Sequence, residues 1–459
     1  MASAGAMSSR PSARRPVATI ILAAGKGTRM KSDRHKVLHP IAGRPMLEHL
    51  FASVAELEPA AQVVVVGSGR EQLEPVVARA GGQVVVQDPQ LGTAHAVQQA
   101  QGALAGFDGD ILILYGDTPL VEAATMRRML ERLHAADAPK LVVLASRPAD
   151  PLSYGRVIAD DLGVIRKMVE FKDASVEERA CDLCNSGLMA VRAADLWALL
   201  AQVGCDNAAG EYYLPDIVMI AAADGAPSAV IETGAWEVAG VNSRAELAVL
   251  EAEWQRQRRQ RAMAEGASLI APDTVWFSHD TQVGRDVVIE PNVVFGPGVQ
   301  IADKVTIRAF SHLEGTRVAS GAEIGPYARL RPGADVGEGA KVGNFVEMKK
   351  ARLGPGAKAN HLSYIGDADV GANANVGAGT ITCNYDGFGK YKTMIGEGAF
   401  IGSNSALVAP VTIGAGAIVG AGSVVTRDVA ADALAVARSA QEERPGWAAR
   451  FRQVKQSKK

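Results

Sequence analysis

Between Val283 and Val425 an apolar residue returns at every sixth position, and this spacing constrains the chain more than any other feature. The frames run Val283, Ile289, Phe295, Ile301, Ile307, then Val318, Ile324, Leu330, Val336, Val342, Met348, and finally Ile395, Ile401, Leu407, Ile413, Val419, Val425. A period of six matches neither the turn of a helix nor the alternation of an ordinary strand. It matches a hexapeptide solenoid, in which three short strands close one triangular coil and each frame residue points to the axis. Glycine follows many frame residues, among them Gly284, Gly337, Gly377 and Gly402, where a Cβ would crowd a corner. A disordered Gly/Ala-rich segment would lack regularly spaced branched aliphatics.

At 459 residues the chain has room for two or three domains with cores of their own. Its net charge of -2 draws in no polyanion, so no nucleic-acid partner is expected. Four cysteines (Cys181, Cys184, Cys205, Cys383) are too few for a disulfide scaffold and suit a cytoplasmic location. Cys181-x-x-Cys184 has no second pair at metal spacing and reads as ordinary thiols. No apolar run is long enough to span a bilayer, so no membrane partner is expected either. Residues 1–16, rich in Ser, Ala, Arg and Pro, lack the apolar stretch of a signal peptide and read as a flexible extension.

The front half has a different rhythm. Val17 to Ala24 is a continuous apolar run, the pattern of a buried parallel strand, and it empties into Gly25-Lys26-Gly27-Thr28-Arg29-Met30. A glycine-rich turn there frees backbone N–H groups for phosphate, and Lys26, Arg29 and Lys36 add charge. Val63–Val66, Val84–Val86, Ile111–Leu114 and Leu141–Leu144 alternate with helix-like segments such as Met46–Glu56 and Ala94–Ala103. That alternation predicts a doubly wound, Rossmann-like α/β sheet with its ligand at the carboxyl ends of the strands. Asp117, leaving one such end in Tyr115-Gly116-Asp117, is equally suited to sharing a magnesium ion with phosphates and to capping the next helix.

Read together, Leu22 to Met30, Lys36-Val-Leu-His39, Gln90-Leu-Gly-Thr93 and Tyr115-Gly-Asp117 resemble the sugar-1-phosphate nucleotidyltransferases. Gly210-Glu-Tyr-Tyr213 and Gly240-Val-Asn242 narrow the resemblance to the bifunctional bacterial N-acetylglucosamine-1-phosphate uridylyltransferase/glucosamine-1-phosphate N-acetyltransferases, over about residues 17 to 445. The resemblance implies that Leu22, Ala23, Ala24, Gly25 and Gln87 hold the uracil and ribose of UTP, and that Gly92 and Thr93 read the base. It further implies that Tyr115, Gly116, Asp117, Gly155, Glu170, Asn185 and Asn242 line the sugar-nucleotide site. Asp117 and Asn242 would bind Mg2+, and Arg29 (a catalytic residue) and Lys36 would neutralise the triphosphate. The family usually carries Leu-Pro directly before the motif lysine, whereas Arg34-His35 stand here, and proline would fix that approach.

From Ser243 to Gly266 long helix formers take over, with Leu247, Leu250 and Trp254 on one stripe, which predicts a helical arm. Its cluster Arg256, Arg258, Arg259 and Arg261 reads as a solvated face. Beyond it the six-residue period slips after Met348, leaving Leu353, Ile365, Val370 and Val376 partly in frame. It breaks outright between Thr382 and Ile395, where an insertion must leave the coil as a loop. His361 lies near these breaks. Imidazole titrates near ~6.5 in water, which suits taking a proton from an attacking amine, although a surface histidine merely hydrogen-bonded to the coil fits the sequence as well. Arg331 and Lys349 offer a fork and a point charge for a sugar phosphate.

This half resembles the same bifunctional family through Arg331-Pro-Gly333, Asn344 to Lys350, His361-Leu-Ser-Tyr364, Gly377 to Asp386 and Val408-Ala-Pro410. By that resemblance His361 is the catalytic base toward glucosamine 1-phosphate, which Arg331, Lys349, Tyr364 and Asn375 bind. Ala378, Asn384, Tyr385, Ser403, Ala421 and Arg438 would hold acetyl-CoA, in a homotrimer whose acetyl sites draw on neighbouring subunits. The tail from Gln441 to Lys459 is basic, with Trp447 as its anchor.

The expected chain is therefore an α/β nucleotidyltransferase domain (17–243), a helical linker (244–266) and an all-β left-handed parallel β-helix (267–459). It would acetylate glucosamine 1-phosphate with acetyl-CoA, then couple the product to UTP, giving UDP-N-acetylglucosamine for peptidoglycan and lipopolysaccharide. The rival is a sugar-1-phosphate nucleotidyltransferase whose β-helix only oligomerises it.

Overall fold

The computed structural model describes residues 15–25, 27–151, 154–207 and 209–457. Lys26 and all but the last two residues of the expected N-terminal extension lie outside the described residues. Chain contacts divide the molecule into two units, and the division falls between Trp254 and Gln255.

In the first unit the apolar run Val17–Ala23 is an interior strand of a sheet. It pairs in parallel with Ala61–Val66 on one side and Asp110–Tyr115 on the other. Gln83–Val86 extends the first side, also in parallel. On the second side Cys184–Arg192 runs antiparallel to both of its neighbours, Asp110–Tyr115 and Leu141–Ser146. This reversal interrupts the all-parallel alternation expected from sequence, and its register shifts between Asn185 and Met189. Such an irregularity re-aims side chains next to a site.

The pleat sends alternate residues to two cores. Ile20, Leu22, Val63, Val65, Ile111 and Ile113 meet the helices that carry Ala94, Leu196 and Ile217. Ile21, Val64, Val66, Leu112 and Leu114 meet Leu47, Leu50, Leu73 and Met126 on the other face. Burial on both faces is why these strands read as unbroken apolar runs. The chain order reverses between Val17–Ala23 and Asp110–Tyr115, so a crevice opens at their carboxyl ends, where Leu22 and Tyr115 are register partners.

The helix Arg244–Ala264 forms where the long helix formers predict it. In the first unit Leu250 and Trp254 pack with Ile41 and Met46. In the second, Gln255 donates to Phe277 O at 2.7 Å and accepts from its N–H at 2.9 Å. The arginine cluster is a solvated face only in part: Arg256 and Arg261 are exposed, Arg261 pairing with Glu265, whereas Arg258 and Arg259 turn onto the first coil. Arg258 lies over the Phe277 ring at 5.0 Å and donates to Thr281 O. Arg259 is 8% exposed and pairs with Asp273. Their aliphatic stems cover the first coil while their guanidinium groups satisfy its carbonyls, a use of arginine that charge patterning does not reveal.

The second unit is a parallel β-helix of three sheets, the first beginning with Ser268–Leu269 and Val288–Ile289, the second with Gln282–Val283 and Gln300–Ile301, and the third with Val294–Phe295 and His312–Leu313. From Gln282 to Val425 a strand pairs in parallel with the third strand after it, one coil on, as Val288 with Thr306 and Arg329 with Glu347. The frame residues from Ile289 to Val425 are all buried, and each fully buried aliphatic contributes roughly 1.5–3 kcal/mol. Val283, at the start, is half-buried. The residues past Met348 never leave the core: Leu353, Ala359, Ile365, Val370 and Val376 are all buried. What slips is the corner. The steps Leu313 to Val318, Met348 to Leu353 and Ile365 to Val370 are one residue short, and each crosses from the third sheet to the second. The insertion between Thr382 and Ile395 leaves at that same corner. From Val283 to Val425 all length variation is thus confined to one edge of the prism, and the other two edges stay in strict register.

The tail forms a helix, Trp447–Gln456, in which Trp447 stacks on Phe451 at 5.1 Å. Trp447 is exposed in this chain rather than anchored on it. No described helix is long and apolar enough to cross a membrane.

Candidate functional sites

The crevice of the first unit holds a cavity of about 330 Å³. Leu22, Ala23, Ala24, Gly25, Lys36, Gln87, Gly92, Thr93, Tyr115 and Asp117 line it, which brings together most of the residues expected there. Gly116 lies just behind, donating its N–H to Leu22 O at 2.9 Å and so tying the two strand ends together. Gly92 has φ +120°, and a Cβ there would stand 2.5 Å from Tyr212 O. The turn is clamped to the Gly210-Glu-Tyr-Tyr213 segment: Ala94 N donates to Tyr212 O, Tyr212 N to Leu91 O, and Leu214 N to Thr93 Oγ1, each at 2.9 Å. Gln87 donates to Gly92 O at 2.9 Å and meets His95 Nδ1 at 3.2 Å, so its amide is held at the cavity wall.

Lys36 reaches the cavity from a short turn, Lys36–Leu38, and its Nζ binds the carboxylate of Asp117. The same Nζ donates to Asn242 Oδ1 at 3.2 Å. Two oxygen donors thus converge on one cation. Asn242 is fixed by the start of the long helix, where Glu246 accepts from Asn242 N at 2.5 Å and from Ser243 N at 3.1 Å. Ser243 Oγ in turn accepts from Glu246 N, completing a capping box. Val241 N donates to Asp117 O at 3.0 Å, which locks the two oxygen ligands side by side.

Burial, then Asp117 and Glu170, pushes the Tyr115 phenol far above its ordinary range, so it stays a neutral donor. Glu170 lies against Gly155, and burial followed by Asp216 and Asp173 raises its carboxyl. Asn185 N donates to Gly155 O at 2.9 Å, placing Gly155, Glu170 and Asn185 on one wall. Arg29 stands apart. It is exposed, in a turn between two left-handed residues, Gly27 and Lys31.

On the β-helix, Asn344 and His361 are register partners on successive coils, and His361 Nδ1 lies 2.7 Å from Asn344 Oδ1. An imidazole that donates Nδ1–H to an amide oxygen keeps its lone pair on Nε2, facing outward. Ala378, Ser403 and Ala421 each occupy the same place two residues past the frame, one coil after another. With coils about 4.8 Å apart, they form a column above His361. A Cβ at Gly377 would meet Ser403 N at 2.7 Å, so the coils close up here only because that position is glycine. Arg438 Nη1 donates to Ala421 O at 2.9 Å and caps the column.

Lys349 and Tyr364 lie on strands of the neighbouring sheet and Arg331 directly follows another, so the three gather toward the edge where the insertion leaves. Arg331 Nη1 binds Glu347 Oε1 at 2.7 Å. Lys390, from the inserted loop, is the chief cause of a lowered Lys349 pKa, with Arg331 adding to it. Asn384 and Tyr385 sit on this edge too, not on the column: Asn384 donates to Asp367 Oδ2 at 2.5 Å and Tyr385 OH to Gly387 O at 2.6 Å. Asn375 lies on the first sheet, in register with Lys358 and Phe400.

Residues 19–173 match the family model of the MobA-like NTP transferase domain, and 280–315 and 392–427 match the bacterial transferase hexapeptide model. The bifunctional protein GlmU of Rhizorhabdus wittichii is 74% identical over 97% of this chain and 98% of its own length. Those of Novosphingobium aromaticivorans and Sphingopyxis alaskensis are 69% and 67% identical over the same shares. The chain belongs to the bifunctional GlmU family. As a GlmU-family enzyme it is a transferase twice over, with a nucleotidyltransferase half and a hexapeptide acyltransferase half.

Several residues beside these candidate sites receive no role from a reading of the sequence, even where they stand in a quoted motif. Asn344 shares the frame offset of His361, so stacking the repeat would have found it. Glu211 and Gln90 line the cavity of the first unit, and Gln90 donates to Ala24 O. Lys390 carries no periodic signal, because the loop that bears it belongs to no coil. Cys184 is buried, with its thiol pushed up by that burial, and Cys181 Sγ is 3.4 Å from Val157 O.

Proposed function

We propose that the chain makes UDP-N-acetylglucosamine in two steps, with His361 as the base of the first and Arg29 and Lys36 as the charge-neutralising residues of the second. The observation that carries the two-step reading is the imidazole of His361, oriented by Asn344 at the foot of an open column of small residues. A β-helix that served only to oligomerise the enzyme has no need of an oriented base there.

In the acetyl transfer, Nε2 of His361 takes a proton from the amino group of glucosamine 1-phosphate as its nitrogen attacks the thioester carbonyl. The N–C bond forms, the C–S bond breaks, and the proton passes to the departing sulfur of CoA. Arg331, Lys349 and Lys390 hold the sugar phosphate with Tyr364, and Asn375 contributes from the first sheet. Pantetheine lies along Ala378, Ser403 and Ala421, with Arg438 at its far end. In one chain the base and this column lie at one edge, and the cations, Asn384 and Tyr385 at another. This separation supports a homotrimer in which neighbouring copies complete each acetyl site.

In the uridylyl transfer, a phosphate oxygen of N-acetylglucosamine 1-phosphate attacks the α-phosphorus of UTP in line and pyrophosphate leaves. No covalent nucleophile is needed, so positioning and charge carry the rate. Leu22 to Gly25, Gln87, Gly92 and Thr93 fix the nucleotide, while Tyr115, Gly155, Glu170 and Asn185 fix the sugar. The donor set of Asp117 and Asn242 fits Mg2+, since both oxygens already face one cation and magnesium keeps few protein ligands. When bound, Mg2+ would supply charge stabilisation for the phosphates. Lys36 would then turn from Asp117 to the triphosphate. Free thiols and small-molecule substrates suit a cytoplasmic enzyme.

Pyrophosphate release from UTP and N-acetylglucosamine 1-phosphate tests the second step. Arg29→Ala should lower it by about 100-fold or more, and a near-full rate would refute that residue's role.

A further inference from the structure

Lys36 arrives at the nucleotide site from an exposed stretch, Lys31 to Arg34, that has no regular structure to steady it. The backbone just before the lysine is nevertheless held from outside. His35 N donates to Gln72 Oε1 at 2.8 Å, and Gln72 Nε2 donates to Asp33 O at 2.9 Å. A single side-chain amide therefore spans two backbone groups of the loop. It projects from the helix Arg70–Arg79, which Leu73, Val76 and Val77 root in the core. His35 itself is 6% exposed, and neither ring nitrogen has a hydrogen-bond partner among the described residues, so its imidazole acts as an apolar plug and not as a tether.

From His35 onward the geometry is determined. Leu38 N returns to His35 O at 2.9 Å and His39 N to Lys36 O at 3.2 Å. Val37 is buried in the same core as Leu73. The place from which Lys36 reaches Asp117 and Asn242 thus depends on where His35 is pinned.

We infer that Gln72 is a positioning residue for uridylyl transfer, acting through the backbone of Asp33 and His35 to aim Lys36. The inference rests on the reading that Lys36 serves the triphosphate. His35 has φ −56°, within the range that proline enforces by its ring. A proline at this position would hold the same turn covalently and would have no N–H for Gln72 to bind. The amide clamp and a proline are alternative solutions to one problem, and that makes the role testable by rescue.

The test is steady-state pyrophosphate release by the full-length protein with UTP as the varied substrate. Gln72→Leu should lower kcat/KM for UTP by about tenfold, mainly through KM, because a lysine displaced by under an ångström still reaches the phosphates but less well. Gln72→Glu keeps an acceptor for His35 N–H and should fall between the two. His35→Pro should restore Gln72→Leu to within about twofold of His35→Pro alone. Acetyl transfer by the same variants should not change. An unaltered kcat/KM in Gln72→Leu, or a double variant no better than Gln72→Leu, would overturn the inference. Lys36→Ala separates this from the parent reading: full pyrophosphate release in that variant would remove the role of Lys36 itself, whereas its loss beside an unaffected Gln72→Leu would remove only the clamp.

Discussion

His361 and Asn344 stand opposite each other on adjacent coils, imidazole Nδ1 to amide Oδ1 at 2.7 Å, with backbone register holding both. Asn344→Ala should leave the ring free to turn and lower the acetyl-transfer kcat by about 10- to 100-fold, with uridylyl transfer unchanged. Asn344→Asp places a carboxylate beside the ring, favours the imidazolium, and should move the acid limb of the acetyl-transfer pH profile to higher pH. Stopped-time assays of CoA-thiol release across pH would read both effects.

Lys349 gives a second handle. The neighbouring Lys390, and then Arg331, hold its ammonium below the usual lysine range. Affinity for glucosamine 1-phosphate should therefore fall as pH rises through that lowered value, since the neutral amine loses its hold on the phosphate. Lys390→Ala should raise KM for the sugar phosphate by about tenfold and shift this alkaline limb upward. KM measured from neutral to alkaline pH checks both.

Much of this arrangement was legible in the sequence, and the limits have physical causes. The frame from Ile289 to Val425 was readable because every coil asks the same thing of its axis, a buried apolar residue. The apparent slip after Met348 was not, because a shortened corner changes the spacing without changing the burial of Leu353 or Val370. In the first unit the strands show in their apolar runs. The reversal of Cys184–Arg192 does not, because strand direction leaves no mark on hydropathy. Lys390 and Gln72 act through partners about 40 residues away in the chain, and Arg259 through a turn of the first coil, none of which periodicity detects.

Acid should weaken the first unit. Burial, with Lys36 adding to it, holds His35 below the ordinary imidazole value, against a smaller opposing pull from Glu71. His39 is lowered as well, by burial and then Arg244 and Arg34. The unfolded chain thus binds protons that the folded one refuses. Stability is fully present above the unfolded value near ~6.5 and falls as pH drops through it. His35→Leu should flatten that decline. Thermal melts of the full chain between about pH 7.5 and about pH 5 would show it.

Gly92→Ala tests the base-reading turn. Its φ of +120° and the 2.5 Å approach to Tyr212 O leave no room for a methyl group. Uridylyl transfer should drop by about 100-fold or more while acetyl transfer holds. Equal loss of both would mean that the damage spreads beyond the cavity.

The most direct measurement runs both reactions in parallel on one folded variant, His361→Ala. CoA-thiol release from acetyl-CoA and glucosamine 1-phosphate should fall by about 10²- to 10⁴-fold, while pyrophosphate release from UTP and N-acetylglucosamine 1-phosphate stays at the parent rate. An undiminished thiol release, or a matching fall in pyrophosphate release, would contradict two independent sites on one chain.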